Sequence, residues 1–203
     1  MHAVPLRERE RTVLKIYDLS KELFSAAVYP GDPAPQKTPF FEISETCPCN
    51  VTVLSMGSHN GTHMDAPKHF VKSAKDVAEM DLTKCVGPCK VITHEGLLTA
   101  QDAEAALADG TKRLLIRGEI EITLGAAEAF AKAGLWFLGV EGMTVGNKET
   151  GPFVHRALLG AEIALLESAV MTDVPDGGYF LSSAPLKMQG LDGSQCRPLL
   201  IEL

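Results

Sequence analysis

Residues 90–142 read KVITHEGLLTAQDAEAALADGTKRLLIRGEIEITLGAAEAFAKAGLWFLGVEG, a stretch that alternates strand-like with helix-like chemistry. KVITH (90–94), RLLIRG (113–118) and LWFLGVEG (135–142) are apolar runs of strand length set off by Gly and polar punctuation. Between them, TAQDAEAALADG offers Thr99 as an N-cap, Asp102 three residues on, and Gly110 as a C-terminal stop. TLGAAEAFAKAG repeats the plan from Thr123 to Gly134. Strand, helix, strand, helix, strand predicts a layered α/β unit.

Working outward, TVLKIYDLS (12–20), VTVLSM (51–56), YFLSSA (179–184) and RPLLIEL (197–203) read as further strands. The first ninety residues carry little helical signal, so the sheet is expected to be mixed rather than doubly wound. No repeat, low-complexity linker or boundary interrupts the chain, which reads as a single domain over 1–203 with a short charged extension at 1–12.

The 203 residues are 45% hydrophobic and 22% charged, with a net charge of -7. That is the balance of a soluble globular chain, and its acidity argues against nucleic acid as a partner. RERER (7–11) alternates in sign and reads as a solvated segment. The N-terminus lacks the apolar core of a secretory signal, and no apolar run would span a bilayer. A cytoplasmic protein without membrane partners is expected. Five cysteines, an odd number, fit reduced thiols; neither Cys47/Cys49 nor Cys85/Cys89 has the CxxC spacing of a zinc or redox pair.

The chemistry concentrates in SHNGTHMDAPKHF (58–70), which holds three of the six histidines. Imidazole and carboxylate are standard ligands for divalent metals, and His59, His63, Asp65 and His69 supply four such groups. An extended chain would hold His59 and His69 about 33 Å apart. Gly61 and Pro67 disfavour a regular helix. A curled loop, hinged at Gly61 and stiffened at Pro67, lets three side chains converge. The plain alternative is a surface loop that happens to be rich in histidine.

HNGTHMDAPKH resembles the HxGTHxDxPxH signature of the cyclase-like metal-dependent hydrolases, a family that includes bacterial kynurenine formamidase and isatin hydrolase. DLS (18–20) with YPGDP (29–33), HRALLG (155–160) with Glu167, and the closing SSAPLKMQGLDGSQCRPLL are similar to the family's other elements. The resemblance implies metal ligation by His59, His63 and Asp65, and proton transfer by His69. It implies that His155 and Glu167 hold a second metal with Asp65 as the bridge, and that Tyr29 meets the substrate where formamidases usually carry Trp. Zinc, or alternatively manganese, is the implied cofactor, with one or two ions per chain. A swivelling β/β/α fold, a small-molecule substrate and a homodimer or larger assembly follow from the same source.

The residues alone favour plainer roles for His155, as a helix N-terminal polar group, and for Glu167, as a solvated strand end. Twelve residues of straight helix rise about 18 Å, so a shared metal requires a turn between them, for which Gly160 is the expected place. IALLE then reads as a buried strand, and Glu162 is a rival ligand. Asp32 is expected to shape the PGD turn, Arg117 to make a structural ion pair and the Trp136 region to pack in the core; His2 and His94 carry no assigned role. The chain departs from the formamidase pattern at Tyr29, at Glu141 and Gly142 within GVEGMTVGN (139–147), and in its charged N-terminus. The first two departures are expected near substrate-facing elements.

A divalent metal with open coordination lowers the pKa of bound water to about 7 and polarises a carbonyl. His69, with an ordinary pKa near 6.5, can take a proton and return it to a leaving amine. Hydrolysis of a formamide or another small aromatic amide is the expected reaction. Ring opening of a cyclic amide and a polyketide-type cyclisation are the alternatives. A non-catalytic metal-binding protein, or a redox protein using Cys85 and Cys89, are rivals from other classes.

Overall fold

The computed structural model describes residues 14–202; the extension expected at 1–12, with RERER and His2, lies outside the described residues. In chain order the strands are β1 (Ile16–Asp18), β2 (Gln36–Phe41), β3 (Val51–Ser55), β4 (His63–Asp65), β5 (Val86–Thr93), β6 (Gly96–Leu98), β7 (Arg113–Arg117), β8 (Ile120–Ile122), β9 (Phe137–Val140), β10 (Ala164–Glu167), β11 (Gly177–Ser182), β12 (Gly193–Gln195) and β13 (Leu199–Ile201). The α-helices are α1 (Leu82–Cys85), α2 (Ala100–Ala106), α3 (Leu124–Lys132) and α4 (Gly151–Gly160).

The helices α2 and α3 begin at the caps marked in the sequence. The Asp102 N–H donates to the Thr99 hydroxyl while the Thr99 N–H donates to the Asp102 carboxylate, closing a capping box. Thr123 caps α3 by accepting from the Ala126 N–H. The longer helix α4 goes beyond the two expected, and Pro152 in its first turn is the start signal. It runs through Gly160, and the residue that turns the chain left-handed is Glu162 (φ 55), not Gly160 as expected. The IALLE run then forms the buried strand β10.

Among the described residues nine strands make one mixed sheet in the order β1-β13-β11-β5-β7-β9-β10-β4-β12. The centre, β5-β7-β9-β10, is parallel, as strands linked through helices require. Both flanks are antiparallel. A parallel pair, β6 and β8, and the hairpin of β2 and β3 stand apart from this sheet.

Alternation along the central strands divides the core. Leu114, Ile116, Leu138, Val140 and Leu165 pack with Phe130 and Leu158 under the helices. Leu115, Phe137 and Leu166 point the other way and meet Leu19, Met64, Leu181 and Leu200 from the flanking strands. Four strands separate β11 from β4, yet the Ser183 hydroxyl just beyond β11 donates to Met64 Sδ at 3.5 Å. The sheet therefore curls until its flanks cover its own centre, with the helices on the outer face in a β/β/α arrangement.

Trp136 corrects an expectation. Leu135 and Phe137 are buried, but Trp136 itself is 40% exposed. Its ring lies 5.2 Å from the Arg113 guanidinium carbon, and Arg113 is fixed by the carbonyls of Thr83, Lys84 and Pro88. A cation stacked on the ring holds it at the surface. Arg117 makes the expected structural contacts, donating to Thr93 Oγ1 at 3.0 Å and lying 3.4 Å from Asp176.

Candidate active site

The histidine segment forms a turn, a strand and a second turn rather than one curled loop. The Gly57 N–H donates to Asn60 Oδ1 at 2.8 Å, tightening the first turn. Gly61 closes it in the left-handed conformation (φ 64), which glycine adopts without strain. In β4, His63 and Asp65 then share one face while Met64 is buried on the other. Glu167 pairs across from His63 and Gly193 across from Asp65, so three strands converge on one carboxylate. Pro67 starts a 3-10 turn in which the His69 N–H donates to the Ala66 carbonyl, bringing His69 back over the site. From the other side α4 presents His155, whose ring stacks on Phe70 with centroids 4.4 Å apart.

Two imidazoles are fixed in the same manner. His63 Nδ1 lies 2.9 Å from the Gly61 carbonyl and His155 Nδ1 lies 2.7 Å from the Gly151 carbonyl. A carbonyl only accepts, so both Nδ1 atoms carry hydrogen and both Nε2 atoms present lone pairs when the rings are neutral. Those Nε2 atoms face carboxylates. His63 Nε2 is 3.4 Å from Asp65 Oδ1 and 3.6 Å from Glu167 Oε2; His155 Nε2 is 3.2 Å from Glu167 Oε1 and 3.8 Å from Asp65 Oδ2. His59 Nδ1 stands 2.9 Å from Asp65 Oδ1. The Val145 N–H pins Glu167 Oε1 at 3.0 Å.

A lone pair facing a buried carboxylate needs a proton or a cation between them. Without a metal, protons meet that need. Burial pulls the His63 pKa down, but Asp65 and Glu167 outweigh it and raise the value to about 10. Burial opposes, but Asp65 and Asp192 raise His59 and Glu167 and Asp65 raise His155, while Asp65, against its own burial, is held far below the usual range by His59 and His63. His63 Nε2 and Asp65 Oδ2 are nevertheless buried with no hydrogen-bond partner among the described residues. His63, Asp65 and Glu167 each offer a ligand atom within 4.8 Å of the others, as do His59, Asp65 and His69. The donor set and the two orphaned atoms fit a divalent metal.

The site floors a cavity of about 430 Å³, a size suited to a small molecule. Tyr29, Asp32, Pro33, Phe70, Met143 and Thr144 form its upper wall. The Asp32 N–H donates to the Tyr29 carbonyl, which closes the PGD turn as expected and leaves Tyr29 40% exposed at the mouth. His69 lies in the wall with its pKa lowered, chiefly by burial.

Glu141 departs from its expected place near the substrate. Its carboxylate accepts from the Gly118 N–H at 2.8 Å and the Met171 N–H at 2.7 Å, tying two loops together outside the cavity. Glu162 is exposed and paired with Lys75 at 2.8 Å, which removes it as a rival ligand. His94 lies 3.2 Å from the Leu97 carbonyl, away from the histidine cluster's cavity. Asp192 escaped the sequence reading although LDG stands in the closing segment; its Oδ2 lies 3.2 Å from His59 Nε2 and 3.4 Å from His69 Nδ1.

The family described as Putative cyclase matches residues 17–145. Kynurenine formamidase of Sphingopyxis alaskensis is 31% identical over 93% of this chain and 99% of its own length. Its counterpart in Bacillus cereus is 32% identical over 90% and 95%. Among solved structures, a potential metal-dependent hydrolase with cyclase activity superposes with a TM-score of 0.79 at 26% identity, covering 94% of this chain and 99% of that one. An isatin hydrolase bound to thioisatinate, at 19% identity and a TM-score of 0.79 over 93% and 92%, shares the fold. Fold, pocket and relatives define a metal-dependent hydrolase of carbon–nitrogen bonds outside peptides. The chain belongs to the cyclase family.

Proposed function

We propose that this protein hydrolyses an aryl formamide of the N-formylkynurenine type, with His59, His63, Asp65, His155 and Glu167 holding one or two divalent ions and His69 moving the proton. One observation carries the metal assignment: His63 Nε2 and Asp65 Oδ2 are buried and unpartnered among the described residues. When bound, a divalent ion lowers the pKa of water to about 7 and polarises the acyl carbonyl. Asp65 belongs to both candidate clusters and would be the ligand that two ions share. Zinc suits the imidazole and carboxylate set, and manganese is the alternative.

His69, kept neutral by burial, accepts the proton of the attacking water and returns it to the departing arylamine. Tyr29 and Phe70 offer aromatic surface for the aryl group. The fold is read as one catalytic domain. Five free thiols support a reducing, cytoplasmic setting, and an exposed apolar hairpin supports a homodimer.

The test is metal analysis of the purified protein alongside turnover of N-formylkynurenine. Bound zinc or manganese with rapid turnover is expected; a protein that takes up no metal on reconstitution would end this reading. His69→Ala should retain the metal and lose about 10²- to 10⁴-fold in kcat. Loss of metal from that variant would make His69 a ligand instead.

A second substrate reading rests on the cavity wall. Asp32, Glu167 and Asp192 line it, and no Lys or Arg does so among the described residues. Such a wall offers no Lys or Arg to a substrate carboxylate, which favours a neutral cyclic amide. Faster turnover of isatin than of N-formylkynurenine would select it.

A further inference from the structure

We infer that Asp192 is a positioning residue that holds the metal-facing His59 and the proton-transferring His69 with one carboxylate oxygen. The inference rests on the roles proposed above for those two histidines.

His63 and His155 are each oriented by a backbone carbonyl on Nδ1, so their Nε2 atoms face the carboxylates. His59 presents the opposite edge: Nδ1 faces Asp65 and Nε2 points away from it, where Asp192 Oδ2 meets it at 3.2 Å. Asp192 thus does for His59 what the Gly61 and Gly151 carbonyls do for the other two rings, but with a full negative charge. A carboxylate behind a metal-bound imidazole fixes its tautomer and raises its basicity.

The same Oδ2 lies 3.4 Å from His69 Nδ1, and the His59 and His69 rings stack with centroids 3.9 Å apart. The negative charge at that distance favours the tautomer with hydrogen on Nδ1, which leaves His69 Nε2 as the basic nitrogen. Asp192 Oδ1 is itself fixed, accepting from the Ser58 hydroxyl at 2.9 Å. An asparagine can keep its oxygen on the imidazoles while its amide N–H donates to the Ser58 hydroxyl, so Asp192→Asn removes the negative charge with little change of shape.

The experiment compares wild type, Asp192→Asn, His69→Ala and the double variant. Two quantities are read: zinc affinity of the metal-stripped protein by chelator competition, and kcat for N-formylkynurenine at saturating zinc. Asp192→Asn should weaken zinc by about 10- to 100-fold, with or without His69 present. Its loss of kcat should appear with His69 intact and vanish in the His69→Ala background, because Asp192 then has nothing to orient. Unchanged zinc affinity, or kcat losses that multiply in the double variant, would overturn the inference. Should Asp192→Asn fail to fold, Ser58→Ala, which frees only Oδ1, should show both losses in smaller measure. Wild type that binds zinc but hydrolyses no formamide would remove the substrate reading alone; zinc affinity would still decide what Asp192 does.

Discussion

Gly193 sits across from Asp65, and the His59 imidazole rests where a side chain at 193 would be. A Cβ there would lie 2.7 Å from His59 Cε1, inside any ordinary contact. Gly193→Ala should therefore displace His59 while leaving the strand pairing intact. Metal affinity and turnover should fall by about tenfold or more with little change in thermal midpoint; a fully active variant would mean that His59 does not depend on this contact. The thiols give a second residue-scale outcome. Burial pushes Cys85 up to about 11 and both Cys89 and Cys196 up to about 12. A raised pKa keeps a thiol protonated, so at about pH 8 these three carry almost no reactive thiolate. Mass spectrometry after alkylation should find Cys47 and Cys49 modified in the native protein and all five cysteines modified only after denaturation. Native labelling of Cys85 or Cys89 would reopen a redox role.

Elements with local signals were legible in the sequence. Strands β5, β7 and β9 and helices α2 and α3 declare themselves through strand-length apolar runs and caps, whereas β6 and β8, three residues each, do not, and Thr99 supports a direct test. Thr99→Ala removes one half of the capping box and should cost about 1 kcal/mol in denaturant unfolding, with kcat unchanged. A loss of activity at constant stability would show that α2 reaches the site by a route the fold does not contain. Strand β4 had no such signal: three residues are too few to show a period, and its register comes from β10 and β12, roughly a hundred residues or more away in the chain. His59, His63, Asp65 and His69 were therefore visible as ligand chemistry while the strand carrying two of them was not. His155 and Glu167 gained ligand roles only through resemblance, because the helix–turn–strand that joins them is built by packing against Phe70 and Leu138. Asp192 looked like turn punctuation between Leu191 and Gly193, the usual meaning of such an Asp. Glu141 was recognised as a departure, but only the fold reveals that its carboxylate bridges two backbone amides.

At the scale of the whole molecule, the hairpin of β2 and β3 is left outside both cores. Every residue of both strands is exposed. Phe40 is 63% exposed, Ile43 65%, Val53 52% and Leu54 51%, so the hairpin shows water a dense apolar surface. A two-stranded hairpin is marginal by itself in water, and an apolar patch with open strand edges invites another chain. A second copy meeting this hairpin would bury those side chains and bring the two cavities into one assembly, since Tyr29 and Pro33 at the mouth lie just before β2 in the chain. Sedimentation equilibrium should give wild type twice the chain mass of 21.8 kDa. Phe40→Glu places a charge at the centre of the patch, where burial without a partner is unfavourable. It should return the monomer mass with secondary structure unchanged. A wild-type monomer would remove the need for a partner at this surface, and a dimer that survives Phe40→Glu would place the interface elsewhere.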